Sequence, residues 1–291
     1  MHRFTVVTAP SLTQPDLPAV NRKGLVALGR GQPVVLVPGT TSSKSQWTAL
    51  AQRLAPRFQA IAIDLHGFGD NRTLSGPRDL SIDDEIDLVL ARLDSVLGCN
   101  VPVHLVGHSY GGLVALQFAV RYPALVRSLT LYEPMVLTLI EGDDPVIAGM
   151  LNMGIAVTER VASRSNFEAA QLFMDFWSGD GAFDKLSLPA KSRLAACAGQ
   201  IALNFHAVTN CPLRLEELRA LRTRTLLLSG ARSHDFVQRI VQVLATTLPN
   251  SKVNWINADH TAPLNAPDLI NPWIETFIET TAGSLSTGQS R

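Results

Sequence analysis

Six short, almost continuously apolar runs recur along this chain, and they constrain its fold more than any other feature. Such runs are typical of strands in a parallel sheet that is covered on both faces. They lie at 33–39, 59–64, 101–107, 126–133, 223–230 and 251–257. Helical patterns separate them, the clearest of which begins with Ser81 as a predicted N-cap and ends at Leu97. The alternation predicts an α/β fold with a doubly wound, mostly parallel sheet.

The strand pattern stops between about Pro134 and Leu221, where we find several helical runs and no strand-like one. It resumes afterwards, so the sequence predicts a helical cap, residues 134–221, inserted into a core made of residues 1–133 and 222–291. Methionine and aromatic side chains are frequent in this cap. Individually they are expected in its internal core, but together they predict apolar surroundings for whatever lies beneath it. They are Met150, Met153, Phe173, Met174, Phe176, Trp177, Phe183 and Phe205.

The composition favours a globular protein with a sizeable core. Hydrophobic residues make up 46% of the 291 residues, and lysine plus arginine balance aspartate plus glutamate at 25 each. Nucleic acid and anionic membranes both require clustered positive charge, which this chain lacks. The N-terminus has no apolar run long enough for a signal peptide, and no segment approaches the roughly 20 apolar residues of a membrane span. We therefore expect a cytoplasmic protein without nucleic-acid or membrane partners, in an oligomeric state that the sequence does not indicate.

The three cysteines are Cys99, Cys197 and Cys211, which lie far apart. Their spacing fits neither a disulfide framework nor a metal-ligand set, so we expect small buried side chains and neither a metal nor a cofactor. The last ten residues are largely polar and are predicted to form a frayed tail.

The segment "GHSYG", residues 107–111, fits the pattern G-x-S-x-G. It lies where a buried strand (101–106) must turn abruptly into a helix that we predict from Gly112 to Arg121. In such a turn the serine takes a strained backbone conformation and projects its hydroxyl from the edge of the sheet, so its neighbours must be small. The pattern predicts Ser109 as a nucleophile.

A serine hydroxyl needs a base within hydrogen-bond reach. His260 follows the last predicted strand, in the loop "NADHTAPLNAP" at the carboxyl edge of the sheet, and is the predicted base. His104 lies inside a strand and is expected in the core, whereas His108 adjoins Ser109 and is expected to line the site. Solvated or pocket-lining positions are expected for His2, His66, His206 and His234.

Together these residues resemble the α/β-hydrolase fold over about residues 20–280. "PVVLVPGTT" (33–41) is similar to the family's oxyanion loop, and "DLHGFG" (64–69) is similar to its D-x-x-G-x-G turn. The resemblance implies that Asp64 is structural, that the backbone N–H groups of Thr40 and Tyr110 form the oxyanion hole, and that Thr41 supports it. Pro38-Gly39 stands where the family often has His-Gly, which leaves the backbone donors in place.

The resemblance leaves two candidates for the acid that orients His260. Many relatives carry an aspartate at the place of Ser233; here the nearest acid is Asp235, which also suits an ordinary helix N-cap. Some members, including haloalkane dehalogenases, use a glutamate at the place of Glu133. We favour Glu133, because a glutamate that ends a buried strand needs a partner for its charge.

With a serine at the turn, the resemblance implies a serine hydrolase that forms an acyl-enzyme on Ser109. We expect a small, largely apolar carboxylester, thioester or lactone as substrate, in a pocket bordered by Thr41, His108, Trp177 and Phe205. The same catalytic residues also fit carbon–carbon bond hydrolysis, acyl transfer to another acceptor, and cofactor-free lyase or haloperoxidase chemistry. A ligand-binding protein with little turnover is the alternative outside enzymes.

Overall fold

The computed structural model describes residues 19–72, 79–140 and 144–286, with the backbone alone for 284–286. The described residues form an eight-stranded sheet in the order β1-β2-β4-β3-β5-β6-β7-β8, in which β1 and β2 are antiparallel to their neighbours and the remaining pairs are parallel. This confirms the predicted α/β fold with a mostly parallel sheet. The strands are β1 (Ala19–Arg22), β2 (Leu25–Leu28), β3 (Gln32–Val37), β4 (Phe58–Ile63), β5 (Val103–His108), β6 (Val126–Tyr132), β7 (Thr225–Gly230) and β8 (Ser251–Ile256).

All six predicted strands are present, with ends shifted by no more than two residues. The sequence pattern missed the hairpin of β1 and β2. All four residues of β1 are exposed, and only alternate residues of β2 are buried. An edge hairpin of this kind carries no continuous apolar run, so the signal that identifies the central strands is absent from it.

Helices flank the sheet and also lie beyond its carboxyl edge. Ser81 caps the second helix as predicted, since its hydroxyl accepts from Asp84 N–H while the Asp84 carboxylate accepts from Ser81 N–H. The last helix continues through Ser286, so the predicted frayed tail is wrong for 282–286, and 287–291 lie outside the described residues. The helices are α1 (Thr48–Leu54), α2 (Ile82–Leu97), α3 (Ser109–Arg121), α4 (Pro145–Ala162), α5 (Asn166–Ser178), α6 (Leu188–Ala195), α7 (Ala198–Thr209), α8 (Leu215–Ala220), α9 (Asp235–Thr247), α10 (Ala262–Asn265) and α11 (Pro267–Ser286).

Two hydrophobic layers enclose the sheet. Val34 and Leu36 of β3 join one buried cluster, whereas Val35 and Val37 of the same strand join the other. Helices α1 and α11 contribute to the first cluster, and α2, α3 and α9 contribute to the second. Because successive strand side chains point to opposite faces, this two-sided cover requires the nearly continuous apolar runs seen in the sequence.

The insertion between β6 and β7 is helical, as expected. It contains α4 to α8, and we find no strand in its described part, 134–140 and 144–221. Apolar side chains of α4 and α7, such as Ile147 and Ile201, belong to the same buried cluster as α3. The insertion therefore packs onto the core, and its treatment as a separate cap of residues 134–221 stays a prediction.

The three cysteines differ in burial. Cys197 and Cys211 are buried, but Cys99 is exposed in the turn after α2, so the expectation of burial is wrong for Cys99.

His104 is buried as predicted, and its ring nitrogens pair with Ser128 Oγ at 2.7 Å and Gln32 Oε1 at 3.0 Å. Burial lowers the pKa of His104 to about 4, so its ring is neutral near pH 7.

Across residues 19–72, 79–140 and 144–286, no helix combines the length with the apolar character that a bilayer crossing demands.

Candidate active site

Ser109 lies at the sharp junction between β5 and α3, with a left-handed backbone (φ 53°). The glycines around it permit this turn, since a Cβ on Gly107 would collide with the Gly111 carbonyl and a Cβ on Gly111 would collide with the Pro38 carbonyl. Helix α3 begins at Ser109 itself, three residues before the predicted start at Gly112. The turn therefore presents the serine side chain at the carboxyl edge of the sheet, at the first position of a helix.

Ser109, His260 and Glu133 form a continuous chain of hydrogen bonds. His260 Nε2 lies 3.0 Å from Ser109 Oγ, and His260 Nδ1 lies 2.6 Å from Glu133 Oε2. All three residues are buried, with exposed fractions of 7%, 6% and 0% for Ser109, His260 and Glu133. With the Nδ1 hydrogen donated to Glu133, Nε2 is left to accept the serine hydrogen. The arrangement puts a base against the hydroxyl and an acceptor behind the base.

Glu133 follows β6 with a left-handed backbone (φ 46°), which turns its side chain toward His260. Its second oxygen, Oε1, accepts from Ser229 Oγ at 3.0 Å and from Gly230 N–H at 2.6 Å. These bonds satisfy a carboxylate that has no access to water. Asp235, the other candidate, is exposed at the first position of α9. The geometry therefore pairs His260 with Glu133.

His108 supports the loop that carries His260. Its Nε2 lies 2.9 Å from the His260 carbonyl oxygen, and its ring centroid lies 5.0 Å from that of His260. Burial, together with the neighbouring His260, holds the pKa of His108 well below its usual value. A neutral His108 donates its Nε2–H to the carbonyl and adds no second positive charge beside His260.

The residues expected to form the oxyanion hole border the same space. Thr40, Thr41 and Tyr110 line a cavity that also contains Ser109. Tyr110 is the second residue of α3, where a backbone N–H has no carbonyl partner within the helix. In the described part of the chain, the Thr40 N–H donates no backbone hydrogen bond. Both donors are thus available at the wall of the cavity.

Asp64 is fully buried and ties two loops together. Its carboxylate accepts from Lys44 N–H at 2.6 Å and from Asp70 N–H at 2.9 Å, and it pairs with the Lys44 ammonium at 2.9 Å. Lys44 belongs to the loop that carries Thr40. These contacts fit a structural residue that fixes this loop against the turn after β4.

The cavity beneath the insertion has a volume of about 180 Å³ and is mainly apolar. All four residues predicted for the pocket border it, namely Thr41, His108, Trp177 and Phe205. The cap's eight methionine and aromatic side chains all belong to buried clusters or pack against them, as expected, and six of them also line this cavity: Met150, Met153, Phe173, Met174, Trp177 and Phe205. Helical periodicity shows which face is apolar, but it does not show whether a neighbouring element fills the space against that face.

The remaining histidines contact other parts of the molecule. His66 Nδ1 lies 2.9 Å from Glu85 Oε2, and this hydrogen bond raises the pKa of His66. His206 lies on α7 beside Asn210, and His234 stacks on Phe176. None of these three borders the cavity, and His2 lies outside the described residues.

Two features of the site escaped sequence reasoning. Asn204 of α7 is buried and lines the cavity, although its only sequence signal is an amide within an apolar helical run. Trp177 stacks on His260 with ring centroids 4.0 Å apart and an interplanar angle of 21°. That contact joins the insertion to a loop more than 80 positions away, and helical periodicity carries no information about such pairs.

Comparisons with known proteins agree with this fold. A model of the alpha/beta hydrolase family matches residues 34–273. Monoacylglycerol lipase ABHD6 from Bos taurus and from Homo sapiens is 31% identical over 110 residues, which is 36% of this chain and 32% of each relative. The match therefore spans about a third of the length of these relatives.

Solved structures extend the likeness to the whole fold. An alpha/beta hydrolase from Sphaerobacter thermophilus is 25% identical with a TM-score of 0.68, and the match covers 90% of this chain and 100% of that one. A thermophilic esterase from Thermogutta terrifontis is 23% identical with a TM-score of 0.70, covers 91% of this chain and 99% of that one, and is similar in fold. Since the family model spans most of the sequence, from the strand before Thr40 to the helix after His260, this chain belongs to the alpha/beta hydrolase family.

Proposed function

We propose that this protein is a serine hydrolase that cleaves small, largely apolar ester-like substrates, namely carboxylesters, thioesters or lactones, through an acyl-enzyme on Ser109. One observation carries the proposal: the hydrogen-bonded chain from Ser109 through His260 to Glu133 opens on an apolar cavity. A serine hydroxyl that is hydrogen-bonded to an imidazole, itself oriented by a carboxylate, is the arrangement that activates serine for acyl transfer.

The reaction follows from the positions of these groups. His260 Nε2 takes the hydroxyl proton as Ser109 Oγ attacks the carbonyl carbon, and Glu133 stabilises the imidazolium that forms. The carbonyl oxygen becomes negative and accepts hydrogen bonds from the N–H groups of Thr40 and Tyr110; one such donor is typically worth about 3 kcal/mol. His260 then gives the proton to the leaving group. Water attacks the acyl-enzyme by the same route and restores the free serine.

The cavity supports a small, apolar substrate. Its volume of about 180 Å³ lies below the roughly 300 Å³ at which drug-sized ligand sites begin. Residues of the insertion, seven of them methionine or aromatic, form more than half of its lining, which is why we propose that residues 134–221 act as the cap that selects the substrate. Two of the similar proteins are named a lipase and an esterase, which is consistent with ester cleavage.

The test uses the substitution Ser109→Ala. We expect hydrolysis of p-nitrophenyl acetate to fall by about a millionfold, because the nucleophile is lost while the binding cavity remains. Ser45→Ala, at an exposed position of the loop after β3, is the matched control and should keep full activity. A phosphonate probe should label the wild-type protein at Ser109 and leave the alanine variant unlabelled. Undiminished turnover by Ser109→Ala would overturn the proposal.

A substrate screen separates the other chemistries that the same residues support. Turnover of a diketone in preference to esters would indicate carbon–carbon bond hydrolysis. Product joined to an added alcohol or amine would indicate acyl transfer. Tight binding of a ligand without labelling of Ser109 would indicate a binding protein rather than an enzyme.

A further inference from the structure

Two successive aromatic residues at the end of α5 each stack on an imidazole. Trp177 lies on His260, with centroids 4.0 Å apart and an interplanar angle of 21°. Phe176 lies on His234, with centroids 4.7 Å apart and an interplanar angle of 10°. The two histidines come from loops that follow β8 and β7, whereas α5 belongs to the insertion. The end of α5 is therefore attached to the core at the histidine of the candidate site.

His234 holds the end of α5 in place. Its Nε2 lies 2.8 Å from the Phe176 carbonyl oxygen, so this nitrogen donates a hydrogen bond to the last turn of the helix. His234 immediately precedes α9, whose apolar side chains are buried against the sheet. The position of Trp177 is consequently set by a contact with the core as well as by its own helix.

The groups around His260 leave one face of its ring to Trp177. Glu133 pairs with Nδ1, and Ser109 pairs with Nε2, so both nitrogens are occupied in the plane of the ring. His108 lies at a tilt of 46°, neutral because burial lowers its pKa. Asp259, the preceding residue, directs its carboxylate to Thr261. Glu133 is thus the charged group in contact with the His260 ring, and Trp177 supplies the π-surface parallel to it.

We infer that Trp177 is a positioning residue that holds the His260 ring and stabilises its imidazolium form by stacking, an inference that rests on the proposed role of His260 as the base. A cation over an indole face is attracted by the ring quadrupole, and the attraction strengthens when water is excluded. In the reaction the imidazolium forms as His260 takes the serine proton. Trp177 therefore favours the transition state over the resting state.

Trp177 also has an effect that opposes the stabilisation of the imidazolium by stacking, and the substitutions below separate the two effects. Its bulk keeps water from His260, and loss of water disfavours the charged ring. Trp177→Leu retains an apolar cover but removes the π-face, whereas Trp177→Phe retains both. Phe173→Leu is the matched control: Phe173 is one turn earlier on α5, lines the same cavity, and meets Trp177 edge-on at 6.5 Å.

The experiment is an NMR titration of the His260 ring in the wild type and the three variants, together with the pH profile of kcat/KM for p-nitrophenyl acetate. We expect Trp177→Leu to lower the His260 midpoint by about one pH unit and kcat/KM by roughly tenfold. Trp177→Phe should lie between Trp177→Leu and the wild type, and Phe173→Leu should leave the midpoint unchanged.

An unchanged or raised midpoint in Trp177→Leu would overturn the inference, as would an equal shift in Phe173→Leu. The titration reads His260 without turnover. If the wild type hydrolyses no ester but Trp177→Leu still lowers the His260 midpoint, the proposed function is refuted and the stabilisation of the imidazolium stands.

Discussion

Replacing Glu133 with glutamine tests which carboxylate orients His260. In the native site Oε1 accepts from Ser229 Oγ and Gly230 N–H, and Oε2 accepts from His260 Nδ1. A glutamine amide has one accepting and one donating end. The Gly230 N–H is fixed in the backbone and must be met by the amide oxygen, so the amide NH₂ group faces His260.

The consequence for His260 follows from its tautomers. An NH₂ group facing Nδ1 requires that nitrogen to be unprotonated, which moves the ring hydrogen to Nε2, beside Ser109. The base then has no lone pair for the serine proton. A comparable loss of the correct tautomer lowers kcat by about 10⁴-fold in serine proteases, or roughly 5.5 kcal/mol of transition-state stabilisation. We expect a loss of that order in kcat for Glu133→Gln.

The assay is steady-state hydrolysis of a p-nitrophenyl ester, with thermal unfolding as the check that the variant is folded. Asp235→Asn is the matched control, because Asp235 is an exposed carboxylate near the same edge of the sheet. We expect it to retain activity within about twofold. If Asp235→Asn loses activity and Glu133→Gln retains it, the assignment of the acid from geometry is refuted.

Two further predictions concern the cavity and the core. A Cβ on Gly154 would overlap the Phe205 ring, which lines the cavity, so Gly154→Ala should push that ring inward. We expect kcat/KM for p-nitrophenyl butyrate, relative to that for p-nitrophenyl acetate, to fall about tenfold. An unchanged ratio would show that the ring does not limit the size of the substrate. The pKa of His104 is about 4 in the folded protein and about 6.5 in an unfolded chain, so the unfolded state binds the extra proton and stability falls as pH drops through this window. By pH 5 the free energy of unfolding is lower by about 2 kcal/mol. Urea unfolding should therefore show a smaller loss of stability between pH 7 and pH 5 in His104→Gln than in the wild type. Equal losses in the two proteins would contradict this prediction.

The central strands and the serine turn were predictable because each obeys a strong local constraint. A strand buried on both faces must be apolar at successive positions, and β3 distributes Val34 and Val35 to opposite layers in that way. The turn at Ser109 must accommodate backbone groups in contact with Gly107 and Gly111, which allows glycine alone. Each constraint leaves a residue pattern within a few positions that can be recognised in a single sequence, even though the Pro38 carbonyl that faces Gly111 lies on a distant loop.

Features that depend on distant neighbours were not predictable. Helix α3 starts at Ser109 although glycine and serine are poor helix formers, because the flanking strand and the loop at Pro38 fix the backbone there. The wall of the cavity depends on the space between α4, α5 and α7, which periodicity within each helix cannot specify. The edge hairpin of β1 and β2 is held by backbone pairing with β4 and by burial of alternate β2 residues alone, which leaves no continuous apolar run in the sequence.

The preference for Glu133 over Asp235, which the sequence already favoured because a buried carboxylate needs a partner, has a consequence for how the insertion is held. Strand β6 lies between β5 and β7, so a residue just after β6 is adjacent to Ser109 on one side and to Gly230 on the other. With the carboxylate supplied from β6, the turn after β7 does not need to carry an acid toward His260. That turn instead carries His234, which binds the end of α5 and thereby fixes Trp177 on His260. A site whose acid came from the β7 turn would require that turn for His260 itself, so the position of Glu133 leaves His234 free to attach the insertion to the core.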